Sequence, residues 1–143
     1  MTTQNQQSKC YALALKMLMR REHSQLELSK KLQLKGFNDI DIKHSIDLLI
    51  EQKYQSDERF SEAFIIMRYN QGKGPVIISS ELKKRGIESF DLSIIDWFEL
   101  AKDVRKKKFG QNLPLDYKTQ AKQKRFLLSR GFGFDQINKA FPR

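Results

Sequence analysis

Few residues of this chain could do chemistry, and most of them have simpler duties. There are two histidines, His23 and His44, and one cysteine, Cys10. None stands at metal-ligand spacing from another, and a lone thiol closes no internal disulfide, which suits a reducing cytoplasm. His23 falls just before a helix cap and His44 on a solvated helix face, so both read as structural. The carboxylates Asp57-Glu58 and Asp39/Asp41 fall at helix starts, where the positive end of the helix dipole accounts for them. Gly72-Lys73-Gly74-Pro75 has the look of a phosphate loop, but no Gly-Lys-Ser/Thr follows, and Pro75 lacks a backbone donor that a phosphate cradle needs. It reads as a corner between helices. No catalytic constellation emerges, no cofactor is expected, and the protein reads as a non-enzyme.

The cations give a stronger signal. The formal net charge of +10 is spread unevenly. Residues 1–50 carry eight basic and five acidic side chains, residues 51–100 seven and nine, and residues 101–143 twelve and three. Lys118, Lys122 and Arg125 recur at i, i+4 and i+7, so one helix projects three cations along one stripe. Lys102, Arg105 and Lys106 make a similar stripe on the preceding helix, with Lys107 and Lys108 beside it. Two such stripes on consecutive helices match the spacing of a phosphate backbone or of an acidic protein groove. The plainer reading is a solvated polar face opposite the core. No aromatic residue is interleaved for stacking on bases, so base-specific readout is not expected.

Helices must carry these residues. The stretch from Tyr54 to Ile87 reads as two helical segments hinged at the glycine corner. Phe60, Phe64 and Met67 share one face of the first, which Ser56 or Asp57 can cap. Pro75 suits the first turn of the second, which turns Ile78 and Leu82 inward. Its ending, Leu82 through Arg85-Gly86-Ile87, repeats in Leu32 through Lys35-Gly36-Phe37 and in Leu127 through Arg130-Gly131-Phe132. Each places glycine where a helix needs a left-handed residue, with an apolar residue next to pack on the leucine five positions back. Three such endings point to a tandem array of short helical modules.

The remaining elements follow from the same periodicities. Residues 1–8 are expected to be disordered. From Lys9, Tyr11, Leu15 and Leu18 line a helical face. Ser24-Gln-Leu-Glu27 matches a capping box opening the helix of Leu28 and Leu32. Ile42, Ile46 and Leu49 mark a third helix. After Gly86, Ser89 can open a helix with Phe90, Ile94, Trp97, Ala101 and Val104 in one seam. Ser93-Ile-Ile-Asp96 also resembles a capped start, however, and the preferred reading is a single turn near Ser89–Leu92 followed by a new helix to Phe109. A further helix spans Leu115 or Asp116 to Arg130, with Tyr117, Ala121 and Leu128 toward the core. Phe134, Ile137 and Phe141 mark a last short helix. No stretch alternates like a strand, so the fold class is all-α. No apolar run approaches the roughly 20 residues that span a bilayer, and Met1 to Lys9 lacks a signal-peptide core, so a soluble cytoplasmic protein with no membrane partner is expected.

Arg21-Glu-His-Ser-Gln-Leu-Glu-Leu28, Asp57-Glu-Arg-Phe-Ser-Glu-Ala-Phe64, Gly74-Pro75 with Glu81-Leu82 and Arg85-Gly86-Ile87, and Lys124-Arg-Phe-Leu-Leu-Ser-Arg-Gly-Phe132 occur in that order. With them the chain, from Ala12 to Phe141, resembles the RecX family, bacterial modulators of the recombinase RecA. The resemblance implies an elongated, curved array of three tandem three-helix modules, divided here at 9–54, 55–92 and 93–143. It also implies binding along the RecA–DNA filament as partner, limiting strand exchange, ATP hydrolysis and cleavage of the SOS repressor. The chain departs from the family pattern at Lys53, where glycine is usual before Tyr54, and in the short interval from Gly86 to Trp97. The six stripe cations come from helical spacing alone, as contacts to RecA or to the phosphates of single-stranded or duplex DNA. A monomer is expected. The alternative reading is a general DNA-binding module that acts without RecA, since short hinged helix pairs can pass for helix-turn-helix units.

Overall fold

The computed structural model describes residues 3–142. Eight helices occur among them, in the order α1 (Thr3–Arg20), α2 (Gln25–Leu34), α3 (Asp39–Glu51), α4 (Asp57–Asn70), α5 (Pro75–Lys84), α6 (Trp97–Phe109), α7 (Tyr117–Ser129) and α8 (Phe134–Lys139), with no strand. The all-α expectation holds. The disorder expected through Ser8 does not, because α1 already runs from Thr3; Met1 and Thr2 lie outside the described residues.

Two compact units form. One takes the chain as far as Ala63 together with Leu82–Phe90, and the other takes Phe64–Glu81 with the chain from Asp91 onward. The first unit is built on α1, α2 and α3. Cys10, Ala14, Leu28, Leu32, Ile42, Ile46 and Leu49 make its dry centre, with Tyr11, Leu15 and Leu18 packed around them. The deepest face of α1 is therefore Cys10 and Ala14, with Tyr11, Leu15 and Leu18 on its flanks. Ser24 closes the expected capping box, its side chain accepting from the Glu27 N–H while Glu27 accepts from the Ser24 N–H. Asn38 caps α3 by accepting from the Asp41 N–H at 2.8 Å.

In α4, Phe60 and Phe64 are buried as expected, and Ser56 provides the cap, accepting from the Arg59 N–H at 3.1 Å. Met67 is exposed, and Ile65 and Ser61 are buried instead, so the buried face lies about one residue away from the seam read in the sequence. The turn expected near Ser89–Leu92 falls at 93–95, and Asp96 caps α6 at Glu99. Trp97 and Ala101 are buried, whereas Ile94 is exposed. No third helix occurs between α5 and α6, so the region 55–92 holds two α-helices rather than three. In the second unit α6, α7 and α8 pack on one another. The inner face of α7 is Gln123 and Leu127; Tyr117 and Leu128, expected toward the core, are exposed, and so is Phe134 of α8.

The three glycine endings are Schellman motifs. Gly36, Gly86 and Gly131 have φ of 90°, 82° and 97°. The N–H of Phe37, Ile87 and Phe132 reaches back to the carbonyl of Leu32, Leu82 and Leu127. The same ending closes α3 without glycine. Lys53 takes the left-handed position with φ 67°, while Lys53 N–H and Tyr54 N–H donate to the Ile50 and Leu49 carbonyls, each at 2.9 Å. Lys53 thus takes the left-handed position that glycine holds in the other three endings.

Two endings also serve as seats for another helix. The start of α5 meets the end of α7, where the Gly74 and Val76 N–H groups donate to the Arg130 and Gly131 carbonyls at 2.8 and 2.9 Å. Free donors at one helix start thereby satisfy free acceptors at another helix end, and the opposed dipole ends attract. The close approach needs glycine on both sides. A Cβ at Gly74 would overlap the Gly131 carbonyl, and one at Gly131 would meet Ile77 Cγ1 at 2.6 Å. At Gly86, which follows α5, Leu26 of α2 fills the same place.

Candidate nucleic-acid and partner interface

The four-residue spacing that reads as a cation stripe also describes an inner helical face, so each cation has to be judged by its surroundings. On α7 the stripe is real. Lys118, Lys122 and Arg125 are all exposed, standing outside the inner face of Gln123 and Leu127. Asp116 caps the helix, accepting from the Thr119 N–H at 2.8 Å.

The α6 stripe is corrected. Arg105 is 1% exposed. Its guanidinium donates to the Gln111 carbonyl at 3.2 Å, to Gln123 Oε1 at 3.4 Å and to the Asn112 carbonyl at 3.5 Å, and it lies 5.8 Å from the centre of the Phe141 ring. These carbonyls belong to the loop just past α6, where the negative helix end also favours a cation. Arg105 ties that loop to α7 and is not available to a partner. Lys102 is half-exposed, with Nζ 4.0 Å from Glu99. Lys106, Lys107 and Lys108 are exposed. The surface cations of α6 thus lie one position further along than expected.

Aromatic rings account for other cations. Lys124 lies over Phe141, Lys139 over Phe98, and both Lys108 and Arg130 over Phe126, with cation-to-centroid distances of 4.6–5.9 Å. Part of the basic excess in residues 101–143 thus stands against aromatic rings. The sequence pattern does not reveal these pairings, because the partners are brought together only by the folded helices.

In the first unit the motif from Arg21 to Leu28 builds a scaffold. Glu27 accepts from the Ser24 N–H and from Arg21, and Arg85 approaches it at 3.8 Å. Burial alone would raise the Glu27 pKa, but the bonds from Arg21 and Ser24 and the Arg21 charge outweigh it and hold the carboxyl below its usual value. His23 is 2% exposed. Its Nδ1–H donates to the Arg21 carbonyl at 3.0 Å, which leaves Nε2 to accept from the Lys31 ammonium at 2.8 Å. Burial, with help from the Arg21 and Lys31 charges, pushes its pKa down, so the ring is held neutral. This histidine is structural, as its place before the cap suggests, and His44 is exposed. Among the described residues no group of three or more His, Cys, Asp or Glu could hold a metal ion, and no helix is long and apolar enough to cross a membrane.

Fold and surface define a class: an all-helical protein of short modules whose third module presents cations on two helices. Its models match in chain order. RecX, first three-helix domain, fits residues 10–49, the second three-helix domain residues 56–92, and the third residues 95–141. The chain is 38% identical over 140 residues to the Regulatory protein RecX of Acinetobacter baylyi, covering 95% of this chain and 88% of the relative. It is 39% identical to that of Legionella pneumophila (strain Corby), covering 94% and 93%. The chain belongs to the RecX family of regulatory proteins. The crystal structure of RecX from Lactobacillus salivarius shares the fold, with a TM-score of 0.80 at 24% identity over 95% of this chain and 94% of that one.

Proposed function

We propose that this protein is a non-enzymatic regulator of the recombinase RecA. In this reading it binds the RecA–DNA filament as a monomer in the cytoplasm and restrains strand exchange, ATP hydrolysis and repressor cleavage, and so DNA repair and the SOS response. The observation that carries the reading is membership of the RecX family along nearly the whole chain, with all three domains in order. The exposed row Lys118, Lys122 and Arg125, with Lys106 and Lys107 on α6, supplies the contact to filament phosphates or acidic groups. Occupancy inhibits by differential affinity: a ligand that prefers an inactive or disassembling filament shifts the population toward it without chemistry of its own. Titration of the protein into RecA's DNA-stimulated ATPase tests this. Inhibition that saturates and weakens with added salt is expected. Tight binding to bare DNA with no effect on RecA would instead identify a general DNA-binding module.

A further inference from the structure

At the end of α4 the second unit opens a groove of about 750 Å³. Three stretches far apart in sequence line it: the last turn of α4 with Tyr69 and the corner after it with Gln71, the α6 lysines Lys107 and Lys108, and Phe126 with Arg130 near the end of α7. The Arg130 guanidinium is fixed in place. Its Nη2 donates to the Gln71 carbonyl at 2.8 Å, and the group lies 5.9 Å from the Phe126 ring centre. Lys108 Nζ lies 5.6 Å from the same ring centre. Tyr69 lines the groove and is 38% exposed. One concavity thus offers a guanidinium plane, aromatic surface, side-chain amides and two lysines.

That combination has a chemical match. Unpaired bases stack on aromatic rings and on guanidinium planes, and their edges bond with amides, while the backbone phosphates favour lysine. A duplex keeps its base faces stacked inside and offers such a groove only phosphate. The lining also includes one carboxylate, Asp103, a turn before Lys107. It disfavours a groove filled with phosphate or acidic side chains alone, yet can accept from the exocyclic amino group of a base. An acidic peptide would satisfy the lysines and leave the tyrosine and amides without counterparts.

We propose that this groove takes an unpaired nucleic-acid strand, a base resting on Tyr69 and the Arg130–Phe126 surface, its phosphates at Lys107 and Lys108. The proposal rests on the nucleic-acid contact in the function proposed above. It adds a preference for single strands that an exposed cation row would not create.

The test is fluorescence anisotropy on the full chain with three labelled probes of equal length: oligothymidine, an abasic oligomer and a duplex. The parent is expected to bind oligothymidine more tightly than the abasic oligomer. Tyr69→Ala should weaken oligothymidine about tenfold, within the range of one base–aromatic stack, and leave the other two probes unchanged; Tyr69→Phe should bind like the parent. Lys107→Gln, an exposed change that keeps the fold, should weaken oligothymidine and lower its salt slope by about one. Equal affinities of the parent for oligothymidine and the abasic oligomer would overturn the proposal, as would an equal loss on both in Tyr69→Ala. So would competition by polyglutamate as strong as that by oligothymidine, which would assign the groove to acidic peptides. If the probes bind alike while RecA is still inhibited, only the groove assignment falls. If no probe binds at all, the nucleic-acid part of the functional reading falls with it.

Discussion

Arg105 separates a cation that holds the fold from one that holds a partner, and its neighbour Lys106 provides the control. Replacing Arg105 with Ala removes three hydrogen bonds, leaves the Gln111 and Asn112 carbonyls and the Gln123 side chain short of a donor, and empties the space beside Phe141. The bonds span 3.2–3.5 Å, long for a charged donor, so each counts near the lower end of the ~1.5–3 kcal/mol range for such bonds. The gross loss is roughly 4 kcal/mol, partly offset because the guanidinium no longer has to be desolvated. The net cost is about 1–3 kcal/mol, the usual range for leaving buried polar groups unpaired. Arg105→Met, which keeps most of the buried stem, should cost less than Ala. Lys106→Ala should stay within about 0.5 kcal/mol of the parent. Urea unfolding followed by circular dichroism measures all three. If Arg105→Ala is as stable as the parent while binding to polyanions weakens, Arg105 is a surface contact and its burial is refuted.

The glycine endings should rank by their neighbours. Gly36→Ala meets nothing within 4 Å and should cost about 1 kcal/mol for the left-handed backbone alone, while Gly131→Ala also drives a methyl into Ile77 and should cost about 1–3 kcal/mol more. Equal costs in urea unfolding would mean that the α5–α7 junction yields easily. Lys53→Gly should stabilise by about 0.5–1 kcal/mol, since φ 67° is expensive for lysine, and a lower urea midpoint would contradict that reading. The depressed His23 pKa fixes a pH dependence: the folded state prefers the neutral ring, so its contribution is complete above the unfolded value of about 6.5 and is lost as pH falls from there toward the folded pKa. His23→Gln should flatten the stability profile between about pH 7 and pH 5, and an unchanged slope would remove His23 as its source.

Much of this architecture is legible in residue order because its signals are local. The Ser24–Glu27 capping box, the three Lys/Arg-Gly-apolar endings and the Ile42, Ile46, Leu49 repeat each act within one or two turns of helix, and each appears where expected. What is not legible depends on neighbours distant in sequence. A helix face can be rotated by one residue without disturbing its period, so spacing alone places Met67, Tyr117 and Leu128 inward and Arg105 outward, the reverse of their burial. Spacing cannot distinguish a solvated arginine from one received by loop carbonyls and a glutamine on the next helix. The groove of Tyr69, Lys107 and Arg130 was likewise invisible, because it joins the ends of three helices. The Lys118, Lys122, Arg125 row was legible because exposure is the default for lysine and arginine.

The most direct test of regulation through the third module compares the parent with the triple variant Lys118→Glu, Lys122→Glu, Arg125→Glu in RecA's DNA-stimulated ATPase. The three side chains are exposed, so helical circular dichroism and melting should match the parent within about 0.5 kcal/mol per site. Inhibition should then require at least about tenfold more of the variant, because loss and reversal of three charges act together on one patch. A folded variant that inhibits RecA as the parent does would contradict the account.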